Sequence, residues 1–153
     1  MAKILIVEDN ALNIKLFCDL LAAHGHEPEA VTDSRTALDA ARNFSPDLVI
    51  TDIQLPHVSG LELIHQIRGD SQLAEIPIMA VTAYSATGDE ERIRAAGAQA
   101  YVSKPISVVK FAQTVDELLE DASERDFKKD GIEDLANEGG EGPGIGEPGG
   151  EEI

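Results

Sequence analysis

The fold can be read outward from one stretch, Asp47-Leu48-Val49-Ile50-Thr51-Asp52-Ile53-Gln54-Leu55-Pro56. Leu48 to Ile50 is apolar throughout, β-branched at two of its three positions and far too short for a helix. Such a run reads as a strand covered on both faces. It passes into Thr51-Asp52 and then a loop closed by proline. Three further strands of this kind are predicted at Ile4 to Val7, Ile76 to Val81 and Tyr101 to Val102, with a weaker, more polar one at Glu27 to Thr32.

Segments with helical spacing lie between these strands, each with its own punctuation. The first runs from an Asn10 cap through Leu12, Leu16, Phe17, Leu20 and Leu21 to a stop at Gly25. The second starts near Asp33 or Ser34 and ends before Ser45-Pro46, because the residue preceding proline avoids the α region. Ser59 with Glu62, and Thr87 with Glu90, have capping-box spacing at the third and fourth, and Gly69 and Gly97 stand where helices stop. The fifth begins at Ser107 and presents Phe111, Val115, Leu118 and Leu119 on one face. Five strand–helix units in strict alternation predict an α/β domain with a parallel sheet and right-handed crossovers.

Composition bounds the partners. The 153 residues include 29 acids against 12 bases, a formal charge of -17. Such a field repels phosphate backbones and anionic headgroups, so neither nucleic acid nor a membrane surface is expected as a partner, and proteins or cations are. With 42% hydrophobic residues but 4% aromatics and no Trp, the core must be aliphatic. The single cysteine, Cys18, reads as a buried helix residue, and no Cys/His spacing suggests zinc. His24, His26, His57 and His65 read as surface or helix-end residues. No apolar stretch approaches the roughly 18 residues that span a bilayer, and the expected location is cytoplasmic. Residues 122–153 hold eight of the 13 glycines and ten acids against three bases. This acidic tail has little to bury and is expected to be mostly disordered, leaving residues 1–121 as the domain.

Polar residues follow each strong strand: Glu8-Asp9, Thr51-Asp52, Thr82 and Ser103-Lys104. In an open α/β sheet these positions converge on the crevice outside the carboxyl ends of the strands. Three carboxylates gathered there raise one another's pKa, and a divalent cation removes the conflict. Hard oxygen ligands suit Mg²⁺ or Mn²⁺. Lys104 adds a fixed cation and Thr82 a hydroxyl donor. Together these make a phosphoryl-transfer site with Asp52 as nucleophile, since it ends a central strand and precedes a loop able to offer a backbone carbonyl to the metal.

The set Ile6-Val7-Glu8-Asp9-Asn10, Asp47 to Pro56 with Ser59-Gly60-Leu61-Glu62, Ala80-Val81-Thr82-Ala83 and Tyr101-Val102-Ser103-Lys104-Pro105 resembles the receiver domain of bacterial two-component response regulators, in particular its stand-alone single-domain members. The resemblance covers residues 2 to about 121. It implies a doubly wound, flavodoxin-like sheet of order 2-1-3-4-5. It also implies that Asp52 accepts a phosphoryl group from a phosphohistidine on a histidine kinase or histidine phosphotransfer protein. Asp9, Asp52 and the main-chain carbonyl of Gln54 would ligate Mg²⁺, with Glu8 acting through a water. Lys104 would pair with the phosphoryl group, Thr82 would hydrogen-bond to it, and the Lys104–Pro105 bond would be cis. Ala83, Tyr84 and Gln54 flank the mouth and are expected to tune the acyl-phosphate lifetime.

Movement of Thr82 toward a phosphoryl oxygen would vacate space for Tyr101 to rotate inward. That would couple the charge event to a face built from the fourth helix, fifth strand and fifth helix, which meets a downstream protein. The expected protein is a monomer at rest, and catalyses only its own phosphotransfer and dephosphorylation. Two other readings are a constitutive pseudo-receiver and an aspartyl-phosphate phosphohydrolase. The latter normally carries a second Asp two residues after the nucleophile, where this chain has Gln54.

Overall fold

The computed structural model describes residues 2–83 and 89–121. Tyr84, the Thr87 cap and the acidic tail expected from residue 122 lie outside the described residues. The chain divides into two units, Met1–Leu119 and Glu120–Ile153. The first contains the whole sheet. In chain order its elements are β1 (Lys3–Val7), α1 (Ala11–Ala23), β2 (Glu27–Val31), a 3₁₀ turn (Ser34–Thr36), α2 (Ala37–Phe44), β3 (Leu48–Asp52), α3 (Gly60–Arg68), β4 (Ile78–Thr82), α4 (Asp89–Ala96) and β5 (Ala100–Ser103). A fifth helix, α5, occupies residues 108–121.

All strand pairings are parallel and the order is β2-β1-β3-β4-β5. Every residue of β3 and β4 is buried, as a sheet covered on both faces demands. The period-2 alternation of strand side chains divides the core. Leu5, Val7, Val49, Ile78 and Ala80 face one way, into a cluster with Leu63, Ile64 and Ile67 of α3 and Ile93 of α4. Ile4, Ile6, Leu48, Ile50, Met79 and Val81 face the other, against Phe17 and Leu21 of α1 and Phe111 and Val115 of α5. Phe17 and Phe111 stack with ring centroids 5.1 Å apart, clamping α1 to α5. Pro28 sits in β2, an edge strand, where a missing N–H is tolerated.

Local signals explain the element ends. The Asn10 side chain accepts from the amides of Leu12 and Asn13 to start α1, and Gly25 beyond its end has φ +84. Ser59 and Glu62 form the full capping box of α3. Ser107 Oγ accepts from Lys110 N–H at the start of α5.

Several expectations need correction. The second helix is preceded by the separate 3₁₀ turn capped by Asp33, and only Ala37–Phe44 is α-helical. β4 starts at Ile78, because Ile76 instead turns back to donate to Leu73 O. Gly69 does cap α3 as expected, its N–H donating to His65 O and Ile67 O, though in right-handed rather than left-handed backbone. Leu12, placed on the apolar face of α1, is 79% exposed. Cys18 is only partly covered. His26 is mostly covered rather than freely exposed: its side chain is 13% exposed and lies 3.9 Å from Asp116, with Nδ1 accepting from Ala2 N–H.

Candidate functional site

The strand order puts β1, β3, β4 and β5 side by side, so their carboxyl ends share one mouth. β1 and β3 are neighbours there, with β2 leaving to one side and β4 to the other, which is the switch point where such sheets bind ligands. Glu8 and Asp9 follow β1 directly, Asp52 is the last residue of β3, Thr82 the last of β4, and Lys104 comes one residue after β5. Glu8 is held where it stands by Glu8 N–H donating to Val31 O, and its carboxylate accepts from Asn10 N–H and Asn13 Nδ2.

Oxygens of Glu8, Asp9 and Asp52 all lie within 4.8 Å of one another. Glu8 and Asp52 are buried while Asp9 is exposed at the rim. Lys104 Nζ reaches across, 2.7 Å from Asp52 Oδ2 and 3.2 Å from Glu8 Oε1. The other Asp52 oxygen accepts from Gln54 N–H at 2.9 Å.

Burial first, and the charge of Asp52 second, push the Glu8 carboxyl above its ordinary value; the Lys104 charge and hydrogen bond and the Asn10 amide pull back only part of the way. Burial works to lower the Lys104 pKa, but the hydrogen bond and charge of Asp52, then those of Glu8, outweigh it and hold the ammonium above the ordinary lysine value. One ammonium therefore contacts two carboxylates, Glu8 and Asp52, of a cluster of three. An all-oxygen donor set with this excess of negative charge fits a hard divalent cation.

The loop after Asp52 is shaped by residues outside the expected set of site side chains. Ile53 N–H donates to Val81 O, extending the β3–β4 ladder, and Ile53 O accepts from Gly60 N–H. A Cβ on Gly60 would collide with Asp52 O and Ile53 Cα, so only glycine lets α3 begin this close to the Asp52 backbone. Ser34, read from sequence as a helix start, is instead buried beneath the loop. Its hydroxyl donates to Pro56 O and accepts from Val58 N–H. No local signal distinguishes a serine with this long-range role from an ordinary cap.

Thr82 is buried, and its carbonyl accepts from Lys104 N–H. Tyr101 is half-buried on β5 and packs against the α2–α4 side of the core. Ala83 and Gln54 are exposed beside the mouth. The Lys104–Pro105 peptide bond is cis.

A family model described as the response regulator receiver domain matches residues 4–116. The chain belongs to that family. Among curated receiver-domain relatives, the polar-differentiation response regulators DivK of Brucella anthropi and Brucella ovis are each 52% identical over 119 residues, covering 78% of this chain and 97% of theirs. Among solved structures, chemotaxis protein CheY4 of Vibrio cholerae superposes with a TM-score of 0.73 at 28% identity, covering 77% of this chain and 98% of that one. The receiver domain of a Pseudomonas aeruginosa sensor histidine kinase, solved with a magnesium ion coordinated in its active-site cleft, gives 0.72 at 28% identity, covering 78% of this chain and 98% of its own. The receiver fold and strand order are thus common to this chain and these neighbours. Among the described residues no helix is long and apolar enough to cross a membrane.

Proposed function

We propose that this receiver domain takes a phosphoryl group onto Asp52 from a phosphohistidine of a histidine kinase or histidine phosphotransfer protein, in the presence of Mg²⁺. The observation that carries the reading is the single ammonium of Lys104 bridging Asp52 and Glu8 inside a cluster of three carboxylates. A carboxylate oxygen of Asp52 attacks phosphorus, the phosphorus–nitrogen bond breaks, and the imidazole departs with the electron pair. Asp9, Asp52 and the Gln54 carbonyl would hold Mg²⁺, or Mn²⁺ in its stead, with Glu8 acting through a water. When bound, the cation neutralises charge on the phosphoryl oxygens.

The chain's own residues do the rest. Burial keeps Asp52 poorly hydrated, and the Gln54 amide fixes one of its oxygens. Lys104 follows the charge as it moves from carboxylate to phosphoryl group, and the Thr82 hydroxyl donates to a phosphoryl oxygen. Withdrawal of Thr82 lets Tyr101 turn inward, shifting the face formed by α4, β5 and α5 between two arrangements that a downstream protein distinguishes. Exposed Leu12 and Leu16 on α1, and Val108 and Val109 at the start of α5, favour a protein as the phosphodonor, because both helices begin next to the mouth. The resting protein is a cytoplasmic monomer that catalyses only its own phosphotransfer and dephosphorylation.

The test is intact-protein mass after incubation with a small phosphodonor and Mg²⁺. One phosphoryl group is gained by the parent and by neither Asp52→Asn nor a chelated sample. No gain in the parent, from either the small donor or a phosphorylated histidine protein, would mark a constitutive pseudo-receiver instead.

A further inference from the structure

Ser34 lies in the turn between β2 and α2, with 3% of its surface exposed. Its hydroxyl donates to Pro56 O at 2.8 Å and accepts from Val58 N–H at 3.1 Å. These two partners bracket His57, which has φ 72, the left-handed region that a side chain other than glycine enters only at a cost. A backbone of this kind persists where its surroundings hold it. The ends of the same loop are tied separately, by Ile53 N–H on Val81 O and by Gly60 N–H on Ile53 O. Ser34 therefore supplies a separate hold at the tip, from an element distant in sequence.

We infer that Ser34 is a positioning residue for cation binding: its hydroxyl staples the tip of the loop that carries the Gln54 carbonyl, so that the loop is ordered before the cation arrives. The inference rests on the reading that this carbonyl and the acidic cluster hold Mg²⁺. Ser34 touches neither the cation nor the phosphoryl group. It acts by removing the ordering cost that a loose loop would meet on binding. Residues that orient ligands in this way change metal affinity by about 10–100-fold when lost.

The experiment is calorimetric titration of the full chain with MgCl₂, comparing the parent, Ser34→Ala and Arg68→Lys. Arg68 lies at the far end of α3, so its substitution controls for general loss of stability. Ser34→Ala should bind Mg²⁺ about 10-fold more weakly, and Arg68→Lys as the parent does. A second readout uses the unmodified protein. Coupling is reciprocal, so Mg²⁺ must slow hydrogen exchange of the Val58 amide, measured by NMR. Parent-like affinity in Ser34→Ala, or equal weakening in Arg68→Lys, overturns the inference while leaving the Mg²⁺ reading intact. Should Ser34→Ala fail to fold, the Val58 amide decides, and exchange unaffected by Mg²⁺ in a parent that binds it overturns the inference. A parent that binds no Mg²⁺ defeats the underlying reading itself, and is recognised from the parent alone.

Discussion

Lys104 Nζ and Asp52 Oδ2 meet at 2.7 Å although the residues are 52 positions apart in the chain. The same ammonium lies 3.2 Å from Glu8, so in the metal-free protein Lys104 partly stands in for a cation. Its removal should therefore separate two properties that loss of a carboxylate would destroy together. In Lys104→Met, phosphorylation by a small donor should slow by about 10²–10³-fold, the usual loss when one charged donor to the transition state goes. Mg²⁺ affinity should rise, because Asp52 and Glu8 lose the cation that competes for them. Mass-resolved kinetics and calorimetry measure the two, and weaker Mg²⁺ binding in Lys104→Met would refute the competition.

Glu8 predicts a pH dependence of the metal-free protein. Burial and the Asp52 charge raise its carboxyl above the ordinary 4.5. A pKa raised on folding means the native state holds the proton more tightly, so the contribution to stability is complete below the ordinary value and disappears as pH climbs through the raised one. Urea midpoints recorded in chelator should fall over that window in the parent and stay flat in Glu8→Gln. Saturating Mg²⁺ should flatten the parent curve, since a bound cation favours the ionised carboxylate.

Gly60→Ala tests the close approach of α3 to Asp52. The added methyl meets Asp52 and Ile53 backbone, which cannot move aside without shifting the end of β3. Destabilisation of about 1–3 kcal/mol by urea titration is expected, the range for overpacking. Phosphorylation should slow as well. A variant as stable as the parent would show that the α3 start has room to retreat.

Arg68→Lys addresses the opposite end of the sheet, where β4 and β5 begin. The Arg68 guanidinium donates to Gly97 O from both Nε and Nη2, to Ala74 O and Ile76 O from Nη1, and to Gln99 Oε1. That Gln99 oxygen also accepts from Ile78 N–H at the start of β4. Lysine carries the charge but not the planar fork, so most of these carbonyls lose their donor. A loss of about 2–3 kcal/mol in unfolding free energy is expected, comparable with one charged hydrogen bond. An unchanged midpoint would show that water replaces the fork without cost.

Much of the site was legible because its residues sit at strand ends. Glu8, Asp9, Asp52, Thr82 and Lys104 each follow a short apolar run, and alternation of strands with helices makes those ends converge. The capping box of α3 and the Asn10 cap were equally readable, since each is satisfied within three residues. Ser34 and Arg68 were not, because a serine after aspartate or an arginine late in a helix looks the same in sequence whether it faces water or a buried carbonyl.

The chain's local patterns thus determined the α/β class, the element order, most element ends and the polar residues delivered to the mouth, for these depend on period, capping and proline sterics acting over a few neighbours. Only the tertiary structure decided which atoms meet. Lys104 spans two carboxylates, Leu12 points to solvent while Phe17 stacks on Phe111, and a serine from the β2–α2 turn holds the loop after β3. Such pairings depend on the spacing of parallel strands and on which helix covers which face, and those distances arise when the sheet is assembled.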